Sequence, residues 1–302
     1  MPHVRIVHRT TYRYARPVRF TPHRLMLRPR DSHDLRVRGA TLGLTPAAAA
    51  TRWAHDVFGN SVCLVEWQDT PDDTLDIVST LDIDHYPAMP DLPRETLDPI
   101  AETYPFSYAV EEFPDLARLT ERQHPDPTRA VDDWVRRFLP QSGPARTMDL
   151  LTTITSAIKA DFTYAARDAE GTNPPLVTLE TGQGACRDFA LLMMEAARTL
   201  GLAARFVSGY LYDETTTDAT VGGGATHAWC AIYLPGAGWV EFDPTNGLVA
   251  GRNLIRVCAA RTPEQAVPVA GGFIGGTGDF AGMTIDVSIT VEPPAAPADA
   301  AA

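Results

Sequence analysis

The chain has 302 residues, 44% of them hydrophobic, and a formal net charge of −12. That is enough apolar sequence for a large core and for two domains. The excess of acid argues against nucleic acid or an anionic membrane as a partner. No apolar run reaches the roughly 18 residues of a membrane-spanning helix, so no membrane span is expected.

The opening Met1-Pro2-His3-Val4-Arg5-Ile6 lacks the apolar stretch of a signal peptide, and a cytoplasmic location is the expectation. Residues 1 to about 90 read as strands. Val4, Ile6, His8, Thr10, Tyr12 and Tyr14 alternate with Arg5, Arg9 and Arg13. Phe58-Gly59-Asn60-Ser61 reads as a turn, Cys63 to Trp67 as the strand leaving it, and Leu75 to Ile83 as another strand. An antiparallel, sandwich-like domain is the simplest assembly of these pieces.

Prolines interrupt the chain repeatedly from Pro87 to Pro127, which reads as a surface connector without a clean element. Helices follow. Asp126 is expected to cap the first, with Pro127 in its first turn and Ala130, Val131, Trp134, Val135 and Phe138 as its apolar stripe. Thr147 is expected to cap the second, which turns Leu150, Leu151, Ile154, Ala157 and Ile158 inward. Both stripes read as core.

A third helix begins at Cys186, carries Met193, Met194, Ala197 and Leu200 at helical spacing, and is closed by Gly201. A cysteine in a helical first turn faces unpaired N–H groups and the positive end of the dipole, both of which favour thiolate. Thr226 to Tyr233 reads as a strand entered from Gly222-Gly223-Gly224, with His227 near its start. Gly238 to Asp243 reads as the next strand, ending in a turn. The short link between them suits an antiparallel hairpin, which would bring His227 close to Asp243. Thiol, imidazole and carboxylate in that order make a candidate Cys-His-Asp triad.

After the hairpin, Leu254 to Ala259 and Met283 to Ile289 read as strands. Gly275-Gly276-Thr277-Gly278 with Ala281 roughly matches a dinucleotide fingerprint, but no helix pattern follows, so that reading is rejected. No G-K-[ST] sequence is present for a P-loop. Residues 293–302, rich in Pro and Ala, are expected to be disordered. Of the four cysteines, Cys63, Cys230 and Cys258 read as buried small hydrophobes. Their spacing shows no zinc-ligand pattern, and neither a metal nor another cofactor is expected.

Three segments resemble the core motifs of the bacterial transglutaminase-like proteins. They are Gly184-Ala185-Cys186-Arg187-Asp188-Phe189-Ala190, Thr226-His227-Ala228-Trp229, and Gly238-Trp239-Val240-Glu241-Phe242-Asp243-Pro244-Thr245-Asn246. The separations of 41 residues from Cys186 to His227 and 16 from His227 to Asp243 suit that family. His8-Arg9-Thr10-Thr11-Tyr12-Arg13-Tyr14 and Pro22 to Pro29 are similar to its N-terminal β-domain.

The resemblance implies an α+β protein. An antiparallel sandwich-like domain over residues 1–115 would precede a papain/transglutaminase-like core over residues 116–292, with the cysteine at a helix N-terminus packed on an antiparallel sheet. It implies Cys186 as nucleophile, His227 as general base and Asp243 as the residue that orients it. The substrate would be a peptide or protein offering an amide or glutamine-like group.

The chemistry so implied is acyl transfer, with hydrolysis of a peptide or isopeptide bond as the first reading. Glutamine transamidation or deamidation is the second, and a catalytically inactive scaffold is the alternative of another class. Lys159 is the only lysine, so the chain is a poor acyl acceptor for cross-linking to itself. Tyr164 and Gln183 are candidates for the second oxyanion donor beside the Cys186 N–H. Glu241 shares a strand face with Asp243 and is the rival orienting acid. Asp188 is read as complementing the helix dipole, and Arg187 as holding a loop or a substrate carboxylate.

Overall fold

The computed structural model describes residues 2–86, 92–167, 170–212, 225–276 and 278–292. Gly222-Gly223-Gly224, Thr277, the first residues of the proline-rich connector and the tail at 293–302 lie outside them.

Alternation builds the first half. Strands β1 (His3–Phe20), β2 (His23–Arg28), β3 (Leu35–Thr45), β4 (Ala48–His55), β5 (Ser61–Trp67) and β6 (Asp72–His85) form two antiparallel sheets. In β1, Val4, Ile6, His8 and Thr10 are buried while Arg5, Arg9 and Arg13 are exposed. Arg9 and Arg5 pair across the sheet with Asp76 and Asp82. One sheet centres on β1, β6 and β3, the other on β2, β5 and β4, and Val18, Phe20, Leu25, Val65, Leu75 and Ile77 fill the space between them.

The connector holds more structure than its prolines suggest. After α1 (Leu92–Glu95) and β7 (Thr103–Tyr104), which pairs with the later β8 (Ala145–Arg146), comes α2 (Phe113–Thr120), an eight-residue helix that buries Leu116. Helix α3 (Ala130–Arg136) starts later than expected. Asp126 does accept from the N–H groups of Val131 (3.1 Å) and Asp132 (3.2 Å), but Pro127 lies in the turn before the helix. Helix α4 (Thr147–Asp161) begins at Thr147 itself, whose hydroxyl is buried without a partner, so Thr147 is not its cap.

Strand β9 (Thr163–Tyr164), helix α5 (Pro175–Thr181) and strand β10 (Gln183–Gly184) lead into α6 (Cys186–Thr199), which Gly201 terminates at φ +76°. A five-stranded sheet packs against α6. It is formed by β11 (Ala204–Leu211), β12 (Ala225–Leu234), β13 (Gly238–Asp243), β14 (Leu248–Val249) and β15 (Leu254–Ala260), in the order β14-β13-β12-β11-β15. Leu191, Met194, Ala228, Cys230, Ile232 and Phe242 belong to their shared core. The hairpin of β12 and β13 is antiparallel, with Leu234 opposite Gly238.

The chain then returns to the sandwich. Strands β16 (Val269–Ala270), β17 (Phe273–Ile274) and β18 (Phe280–Glu292) pair with β2, β1 and β1 respectively. The sequence reading put these closing strands with the catalytic core; their backbone bonds put them in the N-terminal sheets instead. Local alternation marks a strand without naming its partner. The residues after the glycine cluster form β18, not a helix.

The two halves are not separate bodies. Val4, Ile6, Leu81 and Ile83 from the sandwich share a core with Tyr210, Tyr212, Ile255 and Val257 from the second sheet. His8 Nδ1 lies 2.9 Å from the Tyr210 hydroxyl, and His85 Nδ1 lies 3.0 Å from that of Tyr212. Asn60, in the loop before β5, bonds both backbone groups of Ala259 through its side-chain amide (2.8 and 3.0 Å).

Candidate active site

Cys186 is the first residue of α6. The preceding Ala185 has extended backbone and no side-chain oxygen to cap the helix, so the cap runs in reverse: the Asp188 carboxylate accepts from the Ala185 N–H at 2.9 Å. Cys186 is half-buried, whereas Cys63, Cys230 and Cys258 are fully enclosed. Burial pushes the thiol of Cys63 up, and those of Cys230 and Cys258 up to about 12. These three therefore match the buried-hydrophobe expectation.

His227 and Asp243 come together across the β12–β13 hairpin, with Nε2 and Oδ2 2.9 Å apart and both side chains buried. Asp243 is fixed from behind by its own turn. Its Oδ1 accepts from the N–H groups of Thr245 (3.0 Å) and Asn246 (3.3 Å), and its Oδ2 from Asn246 Nδ2 (2.8 Å).

Burial alone would lower the His227 pKa. The charge of Asp243 and its hydrogen bond, followed by a hydrogen bond and charge from Cys186, outweigh burial and raise it to about 10. Nδ1 has no bond to any other group. The imidazole is thus bound to a carboxylate at one nitrogen and makes no hydrogen bond at the other, and as a cation it is stabilised by Asp243 and by the nearby Cys186. Its ring stacks on Trp229 with centroids 6.0 Å apart.

Glu241 is engaged elsewhere. Its carboxylate accepts from Arg256 at 2.7 Å, and Arg256 bridges on to Asp34 at 3.1 Å. The two oxyanion candidates also separate. Tyr164 sits on β9, which pairs in parallel with β10, so that Tyr164 lies opposite Gly184. Its hydroxyl pKa is raised by burial and then by the charge of Cys186, with Arg187 acting against them, so it is within electrostatic reach of the thiol. Gln183 is exposed and is held through its backbone, opposite Thr163.

Arg187 donates to the Arg167 carbonyl at 2.8 Å and so holds a loop. Asp188 does more than face the helix dipole: it also accepts from Asn173 N–H (2.7 Å) and Arg167 Nη2 (2.9 Å). Sequence reasoning assigned no role to Asn246, Arg167 or Asn173. Asn246 carried a signal, since an Asx residue three positions after another in a turn is placed to bond it. The other two are ordered by tertiary contacts that no local pattern marks. Behind His227, a cavity of about 20 Å³ lies between the two halves, lined by His8, Tyr210, Thr226 and His227 among others. Among the described residues, no group of three or more His, Cys, Asp or Glu side chains is placed to hold a metal ion.

Comparison with known proteins agrees with this layout. The family model for the bacterial transglutaminase-like N-terminal region matches residues 4–84, and that for the transglutaminase-like superfamily matches residues 132–244. An uncharacterized protein of Mycobacterium tuberculosis is 32% identical over 307 residues, covering 96% of this chain and 92% of its own, and one of Mycobacterium bovis matches equally. Among solved structures, a candidate cysteine protease from Cytophaga hutchinsonii superposes with a TM-score of 0.70 at 18% identity, covering 95% of this chain and 90% of that one. At that identity the likeness is one of fold.

Proposed function

The chain belongs to the bacterial transglutaminase-like family, and on that premise we propose that it is a thiol-dependent enzyme of acyl transfer at amide bonds, with hydrolysis of a peptide or isopeptide bond as its reaction. The observation that carries the reading is the buried His227, bound by Asp243 at Nε2, with Nδ1 open, Cys186 within electrostatic reach and its pKa raised to about 10. Such an imidazole is a cation that stabilises the neighbouring sulfur as thiolate, and a thiolate–imidazolium pair is the resting state a cysteine nucleophile needs.

The Cys186 sulfur attacks the amide carbon, and the carbonyl π electrons move to oxygen. The oxyanion is received by the Cys186 backbone N–H and the Tyr164 hydroxyl. As the C–N bond breaks, His227 gives its Nδ1 proton to the departing amine, leaving a thioester. Water then attacks the thioester, His227 takes up its proton, and the acid leaves as the sulfur–carbon bond breaks. Asp243 holds the ring in one orientation and stabilises its positive state throughout. The substrate would be a peptide or protein, and a reducing compartment such as the cytoplasm would keep the nucleophile a thiol.

The test is a screen of peptide and isopeptide libraries against the wild type and Cys186→Ala, with intact mass spectrometry to trap the acyl-enzyme. A mass increase on Cys186 that decays in water supports the reading. Decay only when a primary amine is added would make the reaction transamidation. No adduct with any member, together with an unlabelled Cys186 under iodoacetamide, would leave a scaffold.

A further inference from the structure

Capping a helix takes one oxygen, and Asp188 uses only Oδ2 for it, on the Ala185 N–H. Its Oδ1 is bonded outside the helix, to Asn173 N–H at 2.7 Å and to Arg167 Nη2 at 2.9 Å. Those two residues close the two ends of the loop that follows Tyr164 and precedes α5. Arg167 also bonds the Gly171 carbonyl within that loop, and Arg187 bonds the Arg167 carbonyl from the helix side. The strand carrying Tyr164 is laced to the segment before Cys186 by Thr163 N–H to Gly182 O (2.8 Å) and Ala165 N–H to Gly184 O (2.9 Å).

The packing around this carboxylate leaves no slack. Asp188 has no exposed surface. A Cβ placed on Gly184 would lie 3.0 Å from both the Asp188 Cβ and the Phe189 ring. One buried carboxylate therefore joins the turn that presents the Cys186 N–H to the loop that follows Tyr164.

We infer that Asp188 is a positioning residue, which holds the Tyr164 hydroxyl and the Cys186 backbone N–H in one frame so that both reach the same oxyanion. This rests on the acyl-transfer reading and on Tyr164 as the second donor. Asp188 itself touches neither substrate nor the reacting atoms. Its loss should weaken capture of the oxyanion and leave the Cys186–His227–Asp243 set intact. In Asp188→Asn the new NH₂ group must face either the Ala185 N–H or the Asn173 and Arg167 donors, so a donor meets a donor in either orientation.

The experiment is a double-mutant cycle of Asp188→Asn and Tyr164→Phe. Its readout is the reversible adduct of Cys186 with the small aldehyde N-acetylglycinal, whose hemithioacetal oxygen occupies the oxyanion position. Each single variant should lose adduct affinity by about 10²-fold, as misplacement or removal of an oxyanion donor does. In the Tyr164→Phe background, Asp188→Asn should add less than about tenfold, because only one of the two donors that it frames, the Cys186 N–H, remains. The iodoacetamide rate at Cys186 should stay within about threefold of wild type in every variant. Arg167→Met, which removes one of the three bonds, should give an intermediate loss, and it carries the test if thermal melts show Asp188→Asn unfolded.

Losses that multiply in the double variant would overturn the inference, since Asp188 would then act independently of Tyr164. So would a collapse of the iodoacetamide rate in a folded Asp188→Asn protein, which would place its action on the thiol. A wild type that forms no aldehyde adduct overturns the acyl-transfer reading and this inference with it.

Discussion

Replacing Asp243 by Asn removes one charge and reverses one hydrogen bond while keeping shape. In the native site Asp243 accepts from Thr245 N–H, Asn246 N–H, Asn246 Nδ2 and the His227 ring. An amide has one accepting end. If its oxygen turns to Thr245 and Asn246 N–H, its NH₂ meets Asn246 Nδ2 and demands the other tautomer of His227. If it turns the other way, two buried N–H groups lose their acceptor, at about 1–3 kcal/mol each. The charge matters more. Burial acts to lower the His227 pKa, and Asp243 is the main reason it stands at about 10 rather than at the reference of 6.5. At about 1.4 kcal/mol per unit, that difference corresponds to an order of 5 kcal/mol favouring the cation, shared between Asp243 and Cys186.

The consequence can be read without a substrate. Wild-type Cys186 should react with iodoacetamide fastest while its imidazolium partner persists, which the pKa of about 10 at His227 extends through neutral pH. In Asp243→Asn the rate at pH 6 should fall by about 10² or more and recover as pH rises toward that of an ordinary thiol. Turnover should drop further, up to the order of 10⁴ seen when a serine-protease triad aspartate is amidated. Linkage fixes the sign of the stability change. A raised folded pKa stabilises the protein fully below pH 6.5 and loses that contribution as pH climbs to about 10. Asp243→Asn should therefore lower the melting temperature most at pH 6, with the difference from wild type narrowing as pH rises to about 10. Glu241→Gln, whose native residue pairs with Arg256, should leave the alkylation profile unchanged. An Asp243→Asn protein that is folded, reactive at pH 6 and less impaired than Glu241→Gln would refute the assignment.

Cys186 should be alkylated well before the other three cysteines in the folded protein, because those are enclosed and their thiols are pushed up by burial; peptide mapping after brief labelling decides, and early label on Cys63 or Cys258 counts against it. His8 and His85 are buried beside Tyr210 and Tyr212, and burial lowers each to about 4. The unfolded chain takes up those protons first, so stability should hold above pH 6.5 and fall as pH drops toward 4, by about 3 kcal/mol for each histidine. Denaturant titrations at several pH values, with His8→Gln showing a shallower slope than wild type, check this; equal slopes would contradict it. Gly209→Ala should disrupt the sheet beside His227, since its Cβ would lie 2.0 Å from the Ile255 carbonyl oxygen and 2.8 Å from Trp229. A loss of about 3 kcal/mol or more is expected by urea unfolding, and an unchanged midpoint would show that the strands can separate without penalty.

What local pattern could carry was readable in the sequence. The helix that begins at Cys186 and the hairpin that brings His227 to Asp243 rest on periodicity and short-range turns, and both form where expected. Thr147 and the late start of α3 were misread because a cap is chosen by which residue leaves the helix first, a matter of one or two positions that side-chain type does not decide. The hub at Asp188 was under-read for a different reason. Its partners lie 15 and 21 residues earlier in the chain, and a loop closed by a buried carboxylate has no period to detect.

The closing strands show the deepest limit and also its consequence. Strand β18 pairs with β1 along nearly its whole length, so the first and last strands of the described chain lie side by side and the transglutaminase-like core is an excursion between β6 and β16. A sandwich built from both sides of the core cannot be cut away at one linker. Its strand β1 supplies His8 to the wall behind His227, and its Asn60 bonds the backbone of β15, two strands from the one that carries that histidine. Removing residues 1–115 should therefore expose Tyr210, Tyr212, Ile255 and Val257 together with the unpaired β18. Such a fragment should be insoluble or molten, with its near-ultraviolet circular dichroism lost, however complete its triad looks in sequence. A soluble fragment with wild-type iodoacetamide reactivity at Cys186 would show instead that the sandwich is an appendage and that the shared core contributes nothing to the site.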